Sequence, residues 1–332
     1  MNIMGIEGTA HTASVGIVSE QCDILANVSD TISPESEGIH PRIAANHHAE
    51  KFPELIENAI KNSSLKLSDI DLIAFSMGPG LGPCLRTTAT AARTIAIFRD
   101  KPIVGVNHCV AHLEIGRKVC KVDDPILLYV SGGNTQLITY SENRYRILGE
   151  TLDIGIGNFL DKLGRLLNLK FPAGPKIEKL AAKGKNLLDA PYTVKGMDVA
   201  FSGLLTYLQH ELNNGASIHD VCYTAQEISF SMLTEITERA LTFTKKKDLL
   251  IGGGVARNKR IINMLEKMVN IHDGRLYVPP DELCSDNGAM IAWTGYLVYS
   301  SSGPDDVNNI TVDQKYRTDM VNVTWRNSIT DH

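Results

Sequence analysis

The spacing of apolar and polar positions divides the chain into two stretches that follow one pattern. "MNIMGIEGTAHTASVGIVSE" alternates in the manner of two short strands joined by a Gly/Thr turn, and a third strand is predicted near "CDILANVSD". In "HPRIAANHHAEKFPELIENAIKNSSL", Ile43, Phe52, Leu55, Ile56, Ala59 and Ile60 recur at helical spacing. "IDLIAFSMGPGLGPCLRTTATAARTIAIF" predicts a buried strand, a Gly/Pro loop and a helix opened by Thr and Arg. "KPIVGVNH" is one more strand, and it leads straight into another helix. The order β-β-β-α-β-α-β-α thus fills the first 120 or so residues.

"DPILLYVSGGNTQLITYSENRYRILGETLD" restarts the theme with a strand, a Gly-rich turn and two further strands. A mainly helical stretch follows, from about 155 to 245. "KKDLLIGGGVARNKRIINMLEKM" then reads as strand, glycine loop and helix, "GRLYVPP" as a strand, and "SDNGAMIAWTGYLVYSS" as a final long helix. The tail beyond about 300 is polar and weakly patterned, and no element is predicted there. The expectation is a two-fold duplication with helices inserted in the second copy.

A length of 332 residues agrees with two domains at one per ~150 residues. The expected division is a first lobe over 1–122, completed by 295–325, and a second over 123–294 that carries the helical insertion at about 155–245. The hydrophobic share of 43% supplies a sizeable core. A formal net charge of -5 counts against a protein that grips nucleic acid by overall charge, though not against one with a local basic patch. The six cysteines are scattered without a C-x-x-C pair, which fits reduced thiols and a cytoplasmic location. "MNIMGIEGTA" has no cationic segment followed by a long apolar run, so no leader is expected, and no window approaches ~18 apolar residues, so no membrane span is expected.

The chemistry lies in the loops. Three glycine turns follow strands: Gly5-Ile6-Glu7-Gly8-Thr9, Ser131-Gly132-Gly133-Asn134-Thr135 and Gly252-Gly253-Gly254-Val255-Ala256-Arg257-Asn258. Glycine admits positive φ and lets backbone N–H groups approach phosphate oxygens. None of the three matches the P-loop or the dinucleotide fingerprint. Two similar hairpin turns in two similar halves, with a late glycine loop opening a helix, resemble the α/β actin–sugar-kinase–Hsp70 architecture, in which duplicated lobes close on a nucleotide. Gly78 to Pro83 forms either a stiff loop or a backbone lip over a ligand.

His108 and His112 stand one helical turn apart in "VGVNHCVAHLEIG", with Asn107 as a cap, so both imidazoles share a face. Zinc peptidases have this spacing with a glutamate beside the first histidine, and here that position is Cys109. Two histidines do not complete a metal site. Asp286, at the start of the last helix, is a further candidate ligand or simply its N-cap, a role Ser285 would also serve. Tyr129, just before the Ser-Gly-Gly turn, is another. A His₂–carboxylate set with open positions suits Fe(II) or Zn(II). His47 and His48 are adjacent, diverge on a helix, and read as a surface pair or one facing a nucleic acid. Asp161 and Glu178 in the inserted helices are solvated carboxylates or ligand contacts.

The segments "NHCVAHLEIG", "YVSGGNTQLI", "GETLDIGIGNFLDKLGR", "YTVKGMDVAFSGLLT", "SFSMLTEITERAL", "GGGVARNKR" and "CSDNGAMIAW" together resemble the universal tRNA threonylcarbamoyladenosine transferase family. The likeness is to its archaeal and eukaryotic branch, the catalytic subunit of the KEOPS complex, and it runs from residue 3 to about 325. It implies transfer of the threonylcarbamoyl group from threonylcarbamoyl-AMP to N6 of the adenosine beside the anticodon in tRNAs reading codons that start with A, with release of AMP. It further implies one iron or zinc ion held by His108, His112 and Asp286, with Tyr129 as a ligand of this branch. Tyr129, Val130, Ser131, Gly132 and Gly133 would cradle the phosphate, Asp161, Gly174 and Glu178 the ribose, and Asn258 the nucleoside. ATP with magnesium would bind the same cleft. The implied partners are tRNA, a small protein kinase and the other KEOPS subunits, and a threonylcarbamoyl-AMP synthase that supplies the substrate. The missing glutamate fits this chemistry, since an activated anhydride needs a Lewis acid and template rather than a metal hydroxide. No residue stands out as the acceptor of the adenine amine proton. The competing readings are a nucleotide-gated, non-catalytic scaffold and a metallopeptidase, which would leave the glycine loops without a use.

Overall fold

Alternating apolar residues build the first sheet and decide what covers each of its faces. In the computed structural model, which describes residues 1–32 and 40–326, β1 (Asn2–Glu7) pairs antiparallel with β2 (Thr12–Ser19), placing Gly5 opposite Gly16. β3 (Ile24–Thr31) pairs antiparallel with β2 and is followed by α1 (Pro41–Ser63). β4 (Leu72–Gly78) runs parallel to β1 and leads into α2 (Gly82–Arg99). β5 (Ile103–Asn107), parallel to β4, feeds directly into α3 (His108–Cys120). The sheet order is β3-β2-β1-β4-β5. Helix α2 starts at Gly82, earlier than the Thr and Arg expected to open it. Pro83 in its first turn explains this, because its fixed φ suits a helix start and its missing N–H is not needed there.

The second unit follows the same plan. β6 (Ile126–Val130), β7 (Thr135–Ser141) and β8 (Arg144–Glu150) precede α4 (Ile156–Leu166) and α5 (Gly174–Ala181). A two-stranded hairpin absent from the sequence expectation, β9 (Val194–Lys195) with β10 (Asp198–Val199), interrupts the helices. Then come α6 (Ser202–Asn213), α7 (Ile218–Thr244), β11 (Asp248–Gly252), α8 (Lys259–Ile271), β12 (Arg275–Tyr277) and the short α9 (Asp281–Cys284). The order β12-β11-β6-β7-β8 places first, second, third, fourth and fifth strands as in the first sheet, with β6–β7 antiparallel and β6–β11 and β11–β12 parallel. Phe159, Phe201 and Phe230 are fully buried in this unit's core, each contributing about 1.5–3 kcal/mol by burial.

The chain returns to the first unit with α10 (Gly288–Ser302). That unit comprises Met1–Val119, Ser141–Tyr145 and the described residues from Ser285 on; the second comprises Cys120–Tyr140 and Arg146–Cys284. Met4, Ile6, Val15 and Ile17 share a core with Phe52 and Leu55 of α1 and Ala92 of α2. Side chains alternate across a strand, so Gly5 and Gly16 face the other way, and there α10 lies against them. A Cβ on Gly288 would stand 2.0 Å from the Gly16 backbone nitrogen, so the start of α10 is pressed directly onto the sheet. Among the described residues, no helix is long and apolar enough to cross a membrane.

Candidate active site

Asn107 ends β5, and its Oδ1 accepts from the Val110 N–H at 3.1 Å, so it caps α3 as expected. His108 is therefore the first helical residue and His112 lies one turn on, with ring centroids 4.9 Å apart. The structure decides the role of Asp286. Asn287 caps α10, accepting from Met290 N–H at 2.9 Å, so the N-cap reading of Ser285 or Asp286 is corrected. Asp286 instead places Oδ1 3.4 Å from His108 Nε2 and 3.3 Å from His112 Nε2. One ligand atom from each of the three residues lies within 4.8 Å of the others. Burial pushes the Asp286 carboxyl up, but the His108 charge and the hydrogen bonds from both histidines outweigh it and hold the group well below the usual carboxylate range. Burial lowers His112, partly offset by Asp286. Two imidazoles and an anionic carboxylate meeting at one point fit a divalent transition-metal ion.

One residue of this centre escaped the sequence reading. Glu7 is fully buried, and its Oε2 accepts from His108 Nδ1 at 3.0 Å. Its Oε1 accepts from Thr9 N–H at 2.8 Å and from the Thr9 hydroxyl at 2.6 Å. With Nδ1 donating to the Glu7 carboxylate, Nε2 is the His108 nitrogen on the side of Asp286, and it gives its lone pair to a metal that displaces its proton. A carboxylate in an otherwise apolar strand, just before Gly-Thr, was the available signal.

The other candidates lie in the second unit. Tyr129 and Val130 are fully buried in β6. The Ser131 turn is closed by Ser131 N–H to the Asn134 carbonyl at 2.8 Å, and the start of α4 docks on it through Gly157 N–H to Ser131 O at 3.0 Å and Asn158 N–H to Gly132 O at 3.1 Å. Gly253, at φ +94°, lies so near that a Cβ there would meet the Val130 carbonyl at 2.4 Å. This brings the Ser-Gly-Gly turn and the triple-glycine loop together, while Cβ positions on Gly133 and Gly254 face open space. Asp161 Oδ1 accepts from Ala173 N–H at 2.8 Å, beside Gly174 at the start of α5. Glu178 Oε1 accepts from Lys259 N–H at 2.9 Å. Asn258 caps α8 through Arg260 N–H at 2.8 Å and donates to Gln226 Oε1 at 3.2 Å. These polar residues thus also tie α4, α5, α7 and α8 together.

Two expectations change. His48 is fully buried, not a surface residue, and only its neighbour His47 reaches outward, donating from Nε2 to Asp30 at 2.6 Å. The Gly78–Pro83 loop is covered by the protein's own chain: a Cβ on Gly78 would collide with the Asp313 carbonyl, and Gly80 N–H bonds to Gln314 O at 3.3 Å.

Residues 23–293 match the family model of the TsaD tRNA N6-adenosine threonylcarbamoyltransferases. The chain is 53% identical over 325 residues to a probable bifunctional tRNA threonylcarbamoyladenosine biosynthesis protein of Methanothermobacter thermautotrophicus, covering 98% of this chain and 61% of that one. It is 51% identical to a tRNA N6-adenosine threonylcarbamoyltransferase of Thermococcus kodakarensis, covering 98% of this chain and all of the relative. The chain spans about 60% of the length of the bifunctional relatives. Among solved structures, HypF of Thermococcus kodakarensis aligns with TM-score 0.64 at 17% identity, over 90% of this chain and 48% of that one. The activator of 2-hydroxyisocaproyl-CoA dehydratase from Clostridium difficile, with bound ADPNP, aligns with TM-score 0.56 at 14% identity, over 89% and 94%. At such identities the structures speak for the fold alone, and they agree with the duplicated α/β actin–sugar-kinase–Hsp70-like architecture. A sequence match over most of the chain, on a fold of this type, places the chain in the TsaD tRNA N6-adenosine threonylcarbamoyltransferase family.

Proposed function

We propose that this chain transfers the threonylcarbamoyl group of threonylcarbamoyl-AMP to N6 of the adenosine beside the anticodon in tRNAs that read codons starting with A. The observation that carries this reading is the set of buried His108 and His112 with half-buried Asp286, with Glu7 behind it and Cys109, not a carboxylate, next to His108. The names of the relatives support the reaction class. In the reaction the N6 lone pair attacks the carbamoyl carbon, the bond from that carbon to the phosphate oxygen breaks, AMP leaves and N6 loses a proton. Burial raises the Cys109 thiol above its ordinary range, which favours the neutral thiol over a thiolate base. When bound, a divalent iron or zinc ion would supply Lewis acidity and a template for the carbonyl. His108, His112 and Asp286 would hold it, and Glu7 keeps the His108 proton on Nδ1. The backbone from Tyr129 to Gly133 takes the phosphate end, Asp161, Gly174 and Glu178 the ribose, and Asn258 the base.

The same reading makes tRNA the acceptor and a separate synthase the source of the adenylate, in the cytoplasm. It makes the small protein kinase and the other KEOPS subunits partners, with ATP and magnesium as alternative occupants of the nucleotide site. The bifunctional names of relatives longer than this chain support a second activity working beside it.

The test is transfer of labelled threonine into unmodified tRNA by wild type and His108→Ala, with synthase and partner subunits supplied. Label from wild type alone supports the transferase and ties it to the histidine set. Equal label from both overturns the role of that set. No label from either, with adenylate supply and partner activity verified, favours a nucleotide-gated scaffold.

A further inference from the structure

After α10 the chain does not trail away. It crosses the sheet edge at β5, where Asp305 N–H bonds to Ile103 O at 2.9 Å and Asp305 Oδ2 accepts from Gly105 N–H at 2.9 Å. Asp313 N–H then bonds to Met77 O at 3.0 Å. Beyond that point the segment runs along α3 and touches it at three places interleaved with the two histidines. The Tyr316 carbonyl accepts from Asn107 Nδ2 at 2.8 Å, on the side chain that caps the helix. Thr318, 2% exposed, has its hydroxyl beside the Cys109 thiol. Trp325 Nε1 donates to Glu114 Oε1 at 2.8 Å. The Thr324 hydroxyl also meets Ser301 and Ser302 at the end of α10, at 2.7 and 2.9 Å. The segment is therefore fastened to both helices whose starts bear the metal-type ligands.

Glu114 is the anchor of this arrangement. It is 2% exposed and two residues past His112, and it also accepts from the Tyr145 hydroxyl and from Arg117 Nη1, the latter at 2.6 Å. The segment does not lie flush against what it crosses. A cavity of about 200 Å³, lined by Asn107, Val110, Thr294, Val298, Tyr316 and Trp325 among others, lies beneath it. Its hold on the helices combines these polar contacts with the burial of Val321, Val323 and Trp325, and the pocket lies beside the polar ones.

We propose that residues 304–326 form a strap that sets the position of the ligand-bearing helix α3, with Trp325 a positioning residue acting through Glu114. The proposal rests on reading His108, His112 and Asp286 as metal ligands. Two substitutions remove a polar contact while keeping bulk: Trp325→Phe deletes the indole N–H, and Thr318→Val deletes the hydroxyl.

The test uses the full chain and the metal alone. Co²⁺ affinity is measured by competition with a chromophoric chelator, together with the visible Co²⁺ spectrum and the urea midpoint. Misplacing a ligand helix by a lost supporting contact weakens metal binding by roughly tenfold, so Trp325→Phe is expected to bind Co²⁺ about tenfold more weakly with a changed spectrum. Adding Trp325→Phe to Glu114→Leu, which removes the acceptor altogether, is expected to cost no further affinity, because the two act on one path. Thr318→Val, the milder change, is expected to shift the spectrum in the same direction. A lowered urea midpoint with wild-type affinity and spectrum in both Trp325→Phe and Thr318→Val would make the segment a stabiliser only and overturn the proposal, as would full additivity with Glu114→Leu. Failure of wild type to bind Co²⁺ would overturn the metal reading itself, and the strap's role with it.

Discussion

Exchanging Glu7 for glutamine tests the metal centre with almost no change of shape. In the native arrangement one carboxylate oxygen takes both Thr9 donors, at 2.8 and 2.6 Å, and the other takes His108 Nδ1 at 3.0 Å. The glutamine oxygen retains the two Thr9 bonds, which leaves its NH₂ facing His108. An NH₂ group only donates, so Nδ1 must become the acceptor and the ring proton moves to Nε2. A protonated Nε2 has no lone pair to give a metal. Flipping the amide restores His108 but turns NH₂ toward two Thr9 donors in a fully buried site, which costs roughly 1–3 kcal/mol for each group left unsatisfied. Either way the variant is expected to bind Zn²⁺ or Co²⁺ about 10- to 100-fold more weakly, equivalent to about 1.4–2.7 kcal/mol. Competition against a fluorescent chelator measures the affinity, and urea unfolding of the metal-free protein checks the fold. Affinity within twofold of wild type, with an unchanged urea midpoint, would refute the tautomer reasoning.

Three other outcomes follow from the geometry. Burial, then the neighbouring His47 charge and that of His11, opposed by Glu7, lower His48 from 6.5 to about 4. The folded state thus binds fewer protons than the unfolded one, and wild type should lose about 2 kcal/mol by pH 5 and about 3 kcal/mol by pH 4 that His48→Leu does not lose; parallel stability curves for the two proteins would contradict this. Gly288→Ala would drive a Cβ to 2.0 Å from the Gly16 nitrogen and 2.4 Å from the Val15 carbonyl carbon, both backbone. It should destabilise by about 3 kcal/mol or more, and an unaltered melting temperature would refute the close approach of α10 to the sheet. Glu178→Ala removes a possible ribose acceptor along with its bond to Lys259 N–H, and calorimetry with AMP should show binding roughly tenfold weaker. Unchanged AMP affinity would remove Glu178 from the nucleotide site.

Local pattern was enough for the strands and helices, because period and punctuation act over a few residues. It sufficed for the shared face of His108 and His112, since four residues make one helical turn. The repeated strand-turn-strand theme anticipated two sheets of one topology, and both have it. The hairpin at 194–199 escaped notice because two residues per strand are too few to show alternation.

By itself the sequence determined the elements, their repeat, the histidine pair and the family. Tertiary structure alone decided that Asp286 faces the histidines while Asn287 caps the helix, that Glu7 orients His108 from 101 residues away, that His48 is buried, and that Trp325 reaches Glu114 across 211 residues. A hydrogen bond between residues so far apart leaves no periodic trace, since the chain between them is free to vary and only packing fixes which donor meets which acceptor.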